Sequence, residues 1–336
     1  MTADTQQWLD LTQEDPIDPQ IPIIDPHHHL WDYPTSRYLL EDLLADSGSG
    51  HNIVQTVFVE CLSMYHSEGP AEMRPVGETE FVAAIAETSA GGQYGPTRVA
   101  AGIVGFADLT LGAAVVPVLA AHIAAGKGRF KGIRHAAAWH AGDAIGNAHT
   151  HPPQGLLLDA AFRRGFGQLQ RHGLSFDAWL YHTQLRELAD LARAFPETAI
   201  ILDHVGTPLG IGPYAGKRAE VFQDWRRDLA EVAACDNVTV KLGGLGMKLS
   251  GFGWHKRTKP PSSQVLAEAM KPYIDHCIEQ FGVRRCMFES NFPVDKPSCS
   301  YAILWNAFKR LSQAYSTDER AALFHDTAAR IYRLVP

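Results

Sequence analysis

No apolar run in this chain approaches the roughly 18 residues that a membrane-spanning helix needs, no two cysteines form a CxxC pair, and no basic tract stands out. Each absence removes a class of function. Without a spanning segment the membrane is excluded as a partner. The net charge is −7, from 30 basic and 37 acidic side chains, so nucleic acid lacks the electrostatic footprint it requires. The five cysteines, Cys61, Cys235, Cys277, Cys286 and Cys299, are an odd set without zinc-ribbon spacing and suit a reducing compartment. No G-x-S-x-G elbow, P-loop or strand-following G-x-G-x-x-G is present, which removes serine-hydrolase, phosphate-cradling and dinucleotide chemistry from the first rank. The first 20 residues are polar and acidic, so no secretory leader is expected. These features point to a soluble, cytoplasmic protein whose partner is a small-molecule substrate. Nothing in the sequence marks an oligomeric state.

Histidine is what the chain has in excess: 16 residues, bunched at 27–29, at 135–151 and near 182 and 204. Such a distribution invites metal binding or proton transfer. Apolar, β-branched runs recur at Ile21–Asp25, Ile53–Glu60, Arg98–Gly105, Arg129–Arg134, Leu174–Leu180, Ala199–His204, Val238–Leu242 and Arg285–Ser290. Helical patterns lie between them, including Gly77–Thr88, Val115–Ala125, Leu158–His172, Gln184–Ala194, Val221–Ala233, Gln264–Gln280 and Tyr301–Ala314. This alternation predicts an α/β fold, a single-domain (β/α)8 TIM barrel over 21–336 preceded by an N-terminal arm at 1–20. The residues beyond the about 250 of an ordinary barrel fall in the arm and in loops 61–76, 136–157 and 243–263. All three loops follow strands, and so belong to the face where barrel enzymes build their sites.

The segment Asp25-Pro-His27-His28-His29-Leu-Trp31-Asp32 closes the first strand. Residues two apart in an extended chain point the same way, so His27 and His29 share a face suited to a divalent metal or to polarising a carbonyl. This segment resembles the opening strand of the amidohydrolase superfamily, in its amidohydrolase-2 (amidohydrolase-related) branch. It is most similar to the lactonase-type members, the pyrone-dicarboxylate and sugar lactonases. Gly105-Phe-Ala-Asp108, Lys131-Gly-Ile-Arg134-His135, Phe176-Asp-Ala-Trp179, Leu202-Asp-His204-Val-Gly206 and Cys286-Met-Phe-Glu289-Ser-Asn291-Phe-Pro293 follow in the family's order, across residues 21–334.

The resemblance implies a hydrolase opening a lactone or related cyclic ester of a small, acidic or oxygen-rich metabolite. His204 would join His27 and His29 around the substrate carbonyl or one divalent metal, Zn or Mn, and Arg134 would hold a substrate oxyanion. A metal-independent enzyme stays open. So do a metal-dependent decarboxylase or hydratase of an aromatic-derived acid, and a non-catalytic barrel that has lost its base.

The last of these rests on one departure from the family pattern. The family usually ends its eighth strand with Ser-Asp-x-Pro, whereas this chain has Asn291 at the aspartate position. A carboxamide is a poor proton acceptor, so Glu289, two residues earlier, is expected to supply the base, with Asp295 in reserve and Asn291 beside them. Glu60, Trp31 and Trp254 are candidate substrate contacts, Trp254 as part of a cover over the pocket. Lys241 reads as half of an internal ion pair, for example with Glu289, and His149-Thr-His151 as a solvated turn. Losing one anionic ligand weakens the metal site, so at most weak divalent binding is expected. Metal analysis of the purified protein checks this; stoichiometric zinc that resists chelators would contradict it.

Overall fold

Each predicted strand is present, and two of them, Arg98–Gly105 and Val238–Leu242, agree to the residue. The computed structural model describes residues 3–335 and shows eight parallel strands. They are β1 (Pro22–His28), β2 (Asn52–Val59), β3 (Arg98–Gly105), β4 (Phe130–Ile133), β5 (Ser175–Ala178), β6 (Ile200–Leu202), β7 (Val238–Leu242) and β8 (Cys286–Phe288). Each pairs with the next in sequence. The ring closes just beyond β8, where the Asn291 amide donates to the His27 carbonyl (3.0 Å) and the His29 amide to the Phe292 carbonyl (2.8 Å). The chain is a single-domain (β/α)8 barrel.

Both faces of these strands are covered, which explains their nearly continuous apolar runs. Helix Leu185–Ala194 shows the outer layer: Leu185, Leu188, Ala189, Leu191 and Ala192 face inward and are buried. Such spacing on one helical stripe is what the sequence pattern reports. A two-stranded ribbon, Trp31–Tyr33 with Ser36–Tyr38, rises from the end of β1. The N-terminal segment lies along the barrel's own flank. Trp8 Nε1 donates to the Arg257 carbonyl (3.0 Å), Thr12 Oγ1 to the Pro260 carbonyl (2.8 Å), and the Ser263 amide to Glu14 (2.8 Å). It thereby braces the loop that follows β7.

The turn after β6 is strained. His204, Val205 and Thr207 have φ of 57°, 50° and 44°, the left-handed region that costs non-glycine residues about 1 kcal/mol or more each. The His204 amide is held there by Glu289 Oε1 at 3.0 Å. Room for this pair comes from two glycines after β7. A Cβ on Gly243 would lie 2.4 Å from Glu289 Cγ, and one on Gly244 (φ +67°) 2.4 Å from His204 Cβ. Gly244→Ala is therefore expected to cost about 2 kcal/mol or more through overpacking and backbone strain and to displace His204. Urea unfolding and activity of the variant check this, and unchanged values for both would contradict it.

Candidate active site at the barrel mouth

Charged residues on the inner faces of β2 and β4 to β8 build the site. Asp177 comes from β5, Lys241 from β7, Asp203 and His204 from the end of β6, and Glu60 and Arg134 from the ends of β2 and β4. Glu289 follows β8. Asp177, Asp203, Lys241, Glu60 and Glu289 are wholly buried, and Arg134 and His204 nearly so. A charge at such depth survives only if paired.

Lys241 Nζ lies 2.7 Å from Asp177 and 2.9 Å from Asp203. Burial works against its charge, but the two aspartates raise its pKa above the ordinary lysine value. Burial also pushes Asp203 upward, yet Lys241 and His27 outweigh it and hold this carboxyl well below the usual range. Arg134 Nε donates to Glu60 Oε1 at 2.7 Å and its Nη2 to the Glu60 carbonyl at 2.5 Å. His149 Nε2 reaches the other oxygen of Glu60 at 2.8 Å. Against the effect of burial, Arg134 and His149 bring the Glu60 pKa down to about 2.

Glu289 lies between two imidazoles. Oε1 faces His204 Nδ1 at 2.7 Å and Oε2 faces His27 Nδ1 at 2.9 Å. Burial raises its pKa, but His204 and His27 prevail and hold it at about 2. An ionised carboxylate only accepts hydrogen bonds, so His204 donates from Nδ1 and keeps Nε2 for other partners. His29 is fixed likewise by its Nδ1 contact of 2.7 Å to the Val59 carbonyl, and burial pushes its pKa well below the ordinary value. Nδ1 committed to a carboxylate or carbonyl with Nε2 exposed is how proteins orient metal-binding and catalytic imidazoles.

Two adjoining chambers open above these groups. The inner one, about 280 Å3, is lined by His29, Trp31, Arg134, His149, His204 and Asn291 among others. The outer, about 570 Å3, shares Trp31, Trp179, Met247 and Val294 with it and adds Tyr38, Arg37 and Lys248. Aromatic walls with few polar groups suit a ring-shaped ligand held by its faces.

The structure thus brings together His27, His29, His204, Glu289, Asn291, Arg134, Glu60 and Trp31. Trp254 lies elsewhere: it is buried in a stack on Phe252 (4.4 Å, 1°) and lines neither chamber, because the loop after β7 folds its aromatic residues onto Tyr273 and the outer helix. Lys241 is an internal ion-pair residue, although its contacts are Asp177 and Asp203 rather than Glu289. Asn291 donates through Nδ2 to Asp295 (2.9 Å), leaving its Oδ1 buried without a partner. Burial raises the Asp295 pKa to about 7.

Sequence reasoning missed Asp177 and Asp203, and its solvated turn at His149-Thr-His151 is corrected, for Glu60 holds His149 Nε2 at 2.8 Å beside the inner chamber. The two acids had a signal, Asp177 within a short strand and Asp203 just past an apolar one. His149 had none, because its place depends on the path of a long loop.

Among the described residues, His27, His204 and Glu289 each bring one ligand atom within 4.8 Å of the others, a donor set that fits a divalent ion. The orphaned Asn291 Oδ1 adds a neutral oxygen nearby. Yet Lys241 Nζ stands 3.1 Å from His27 Nδ1 and Arg134 Nη1 3.4 Å from Nε2, so an ion here competes with two fixed cations.

Comparison with known proteins places this geometry in a class. The family model described as amidohydrolase matches residues 24–334, and the chain belongs to that family. It is an enzyme of the amidohydrolase superfamily. Among particular relatives, the uncharacterized protein y4mH of Sinorhizobium fredii is 35% identical, with 94% of this chain and 99% of that one covered. An L-fucono-1,5-lactonase of Burkholderia multivorans is 26% identical, covering 93% and 96%. Of solved structures, an amidohydrolase from Burkholderia multivorans with bound zinc superposes with TM-score 0.70 at 24% identity, covering 93% and 99%. A Pseudomonas putida protein named as a 2-pyrone-4,6-dicarboxylic acid hydrolase gives TM-score 0.64 at 16% identity, covering 94% and 99%. The last two share the fold.

The Glu60–Arg134 pair makes a pH prediction. Its carboxyl is depressed from 4.5 to about 2, so the stability it provides is present above pH 4.5 and is lost as pH falls toward 2. The shift corresponds to roughly 3 kcal/mol. Glu60→Gln should destabilise by about that amount at pH 7, and the gap to wild type should narrow at pH 3.5. Urea unfolding at the two pH values checks this; an equal gap at both would contradict it.

Proposed function

We propose that this enzyme hydrolyses a lactone or related cyclic ester, adding water across the acyl C–O bond. The observation that carries the proposal is the buried Glu289 carboxylate that fixes Nδ1 of His204, leaving Nε2 of a cavity-lining imidazole as proton acceptor. The lactonase relative from Burkholderia multivorans supports the same chemistry.

In this reading the substrate ring lies in the inner chamber against Trp31. His204 Nε2 takes a proton from water as its oxygen attacks the carbonyl carbon. Glu289 is a positioning residue: it sets the imidazole tautomer and stabilises the charge that His204 acquires. This departs from the expectation that Glu289 itself activates water, for Oε1 is taken by His204, Oε2 faces the buried His27 ring, and its pKa of about 2 makes it a weak base. Arg134, on the same chamber, opposes the negative charge developing on the carbonyl oxygen. Its tie to Glu60 keeps it extended and prepaid in orientation. His27 links the parts, facing Glu289 through Nδ1 and Arg134 through Nε2. A divalent ion held by His27, His204 and Glu289 would supply Lewis-acid polarisation of the carbonyl, and the nearby cations make its binding weak.

If His204 and Glu289 act as one unit, each single change should cost about as much as both together. Glu289→Gln and His204→Gln should each lower kcat about 10²–10⁴-fold, with KM little changed and the double variant no worse. Steady-state kinetics on a panel of sugar and pyrone lactones checks this. Full activity of Glu289→Gln, with loss in Asp295→Asn, would move the base to Asp295.

A further inference from the structure

His149 lies in the long loop between β4 and β5 and is part of no regular element, yet it closes one side of the inner chamber. Its ring stacks on Trp179 at 6.3 Å and 23°, and its Nε2 sits 2.8 Å from Glu60 Oε2. Thr150 Oγ1 ties the loop to the Ala136 carbonyl at 2.6 Å, and the Ala148 amide to the Ala138 carbonyl at 2.8 Å. The imidazole is thus presented by two anchored neighbours, about one quarter exposed (26%). A merely solvated turn would not spend a wholly buried carboxylate on it.

The hydrogen-bond chemistry narrows the role. Glu60 is ionised and accepts only, so His149 must present an N–H at Nε2, and Nδ1 is the nitrogen left for a ligand. Glu60 serves Arg134 as well, so two donors meet one carboxylate on one wall of the chamber. His204 lines the same chamber but is committed to a different carboxylate. The site therefore holds two carboxylate–imidazole pairs, Glu289–His204 and Glu60–His149. Hydrolysis of an ester needs two proton transfers, one from the attacking water and one to the departing oxygen.

Resting on the hydrolase reading above, we propose that His149 is the acid that protonates the leaving oxygen. In the first half of the reaction the water oxygen bonds to the carbonyl carbon and its proton passes to His204 Nε2. In the second half the bond from that carbon to the ring oxygen breaks. Its electron pair stays on the oxygen, which takes the Nδ1 proton of His149, whose ring enters this step protonated on both nitrogens. The products are the carboxylic acid and the free hydroxyl. His204 then carries the extra proton and His149 lacks one, and exchange through solvent restores both.

This role predicts a dependence on the leaving group that a structural role does not. Dihydrocoumarin expels a phenol, which departs without help. δ-Valerolactone expels an alkanol, which needs a proton. In His149→Asn, kcat on δ-valerolactone should fall about 100-fold or more, while dihydrocoumarin should lose less than about fivefold. Thermal melting confirms that the variant is folded, and His149→Gln repeats the test with a longer side chain. Equal losses on the two lactones, or no loss on either, would overturn the assignment. His204→Gln should reduce both substrates alike. If it reduces neither, or if wild-type protein opens neither lactone, the hydrolase reading itself falls and takes this one with it.

Discussion

Burying an ionised carboxylate costs several kcal/mol unless donors replace the lost water, and Glu289 meets that cost entirely with N–H groups. The backbone amide and the imidazole of His204 supply them at Oε1, and His27 Nδ1 stands 2.9 Å from Oε2. Much of the surrounding structure serves this arrangement. Gly243 and Gly244 lack side chains where a Cβ would collide with it, and the chain after β6 accepts successive left-handed residues to aim His204. The hydrogen bonds that close the barrel between β1 and the end of β8 bring His27 beside Glu289. A barrel whose first and eighth strands failed to meet would have no such cluster.

The other buried charges follow the same rule at larger scale. Asp177, Asp203 and Glu60 are matched by Lys241 and Arg134, the permanent cations of the inner barrel, through contacts of 2.7 to 2.9 Å. A cation alone does not decide the outcome, for burial raises the Asp177 pKa to about 6 even beside Lys241. Asp25 accepts from Ser290 and Tyr301 (2.5 and 2.9 Å), yet burial still raises its pKa to about 6; Asp295 is raised to about 7 in the same way. The interior therefore holds Glu60, Asp203 and Glu289 below the usual range, while Asp25, Asp177 and Asp295 are able to hold a proton near neutrality. The separation places fixed negative charge under the imidazoles, where it sets tautomers.

Much of this was legible in the sequence because the signals were local. Strand periods were carried by β-branched runs, and Val238–Leu242 and Arg98–Gly105 have the bounds read from residue pattern alone. His27 and His29 announced themselves by spacing, and His204 by ending a strand. Glu289 drew attention only because Asn291 replaced the acid expected there, and its role emerges from the two imidazoles on its oxygens, which no spacing reveals. Trp254 misled because an aromatic residue in a post-strand loop reads the same whether it faces a ligand or a neighbouring ring; here Phe252 covers it. His149 was unreadable for the opposite reason. Its loop has no periodicity, and only the folded path brings it to Glu60, 89 positions away.

The central claim is that water adds to an acyl carbon held above His204 and Glu289. Isotope tracing tests it most directly. A lactone opened by the enzyme in ¹⁸O-labelled water should yield a hydroxy acid with one label, located in the carboxyl group and absent from the hydroxyl. Label in the hydroxyl, or turnover that releases carbon dioxide without incorporating label, would contradict acyl hydrolysis at this site.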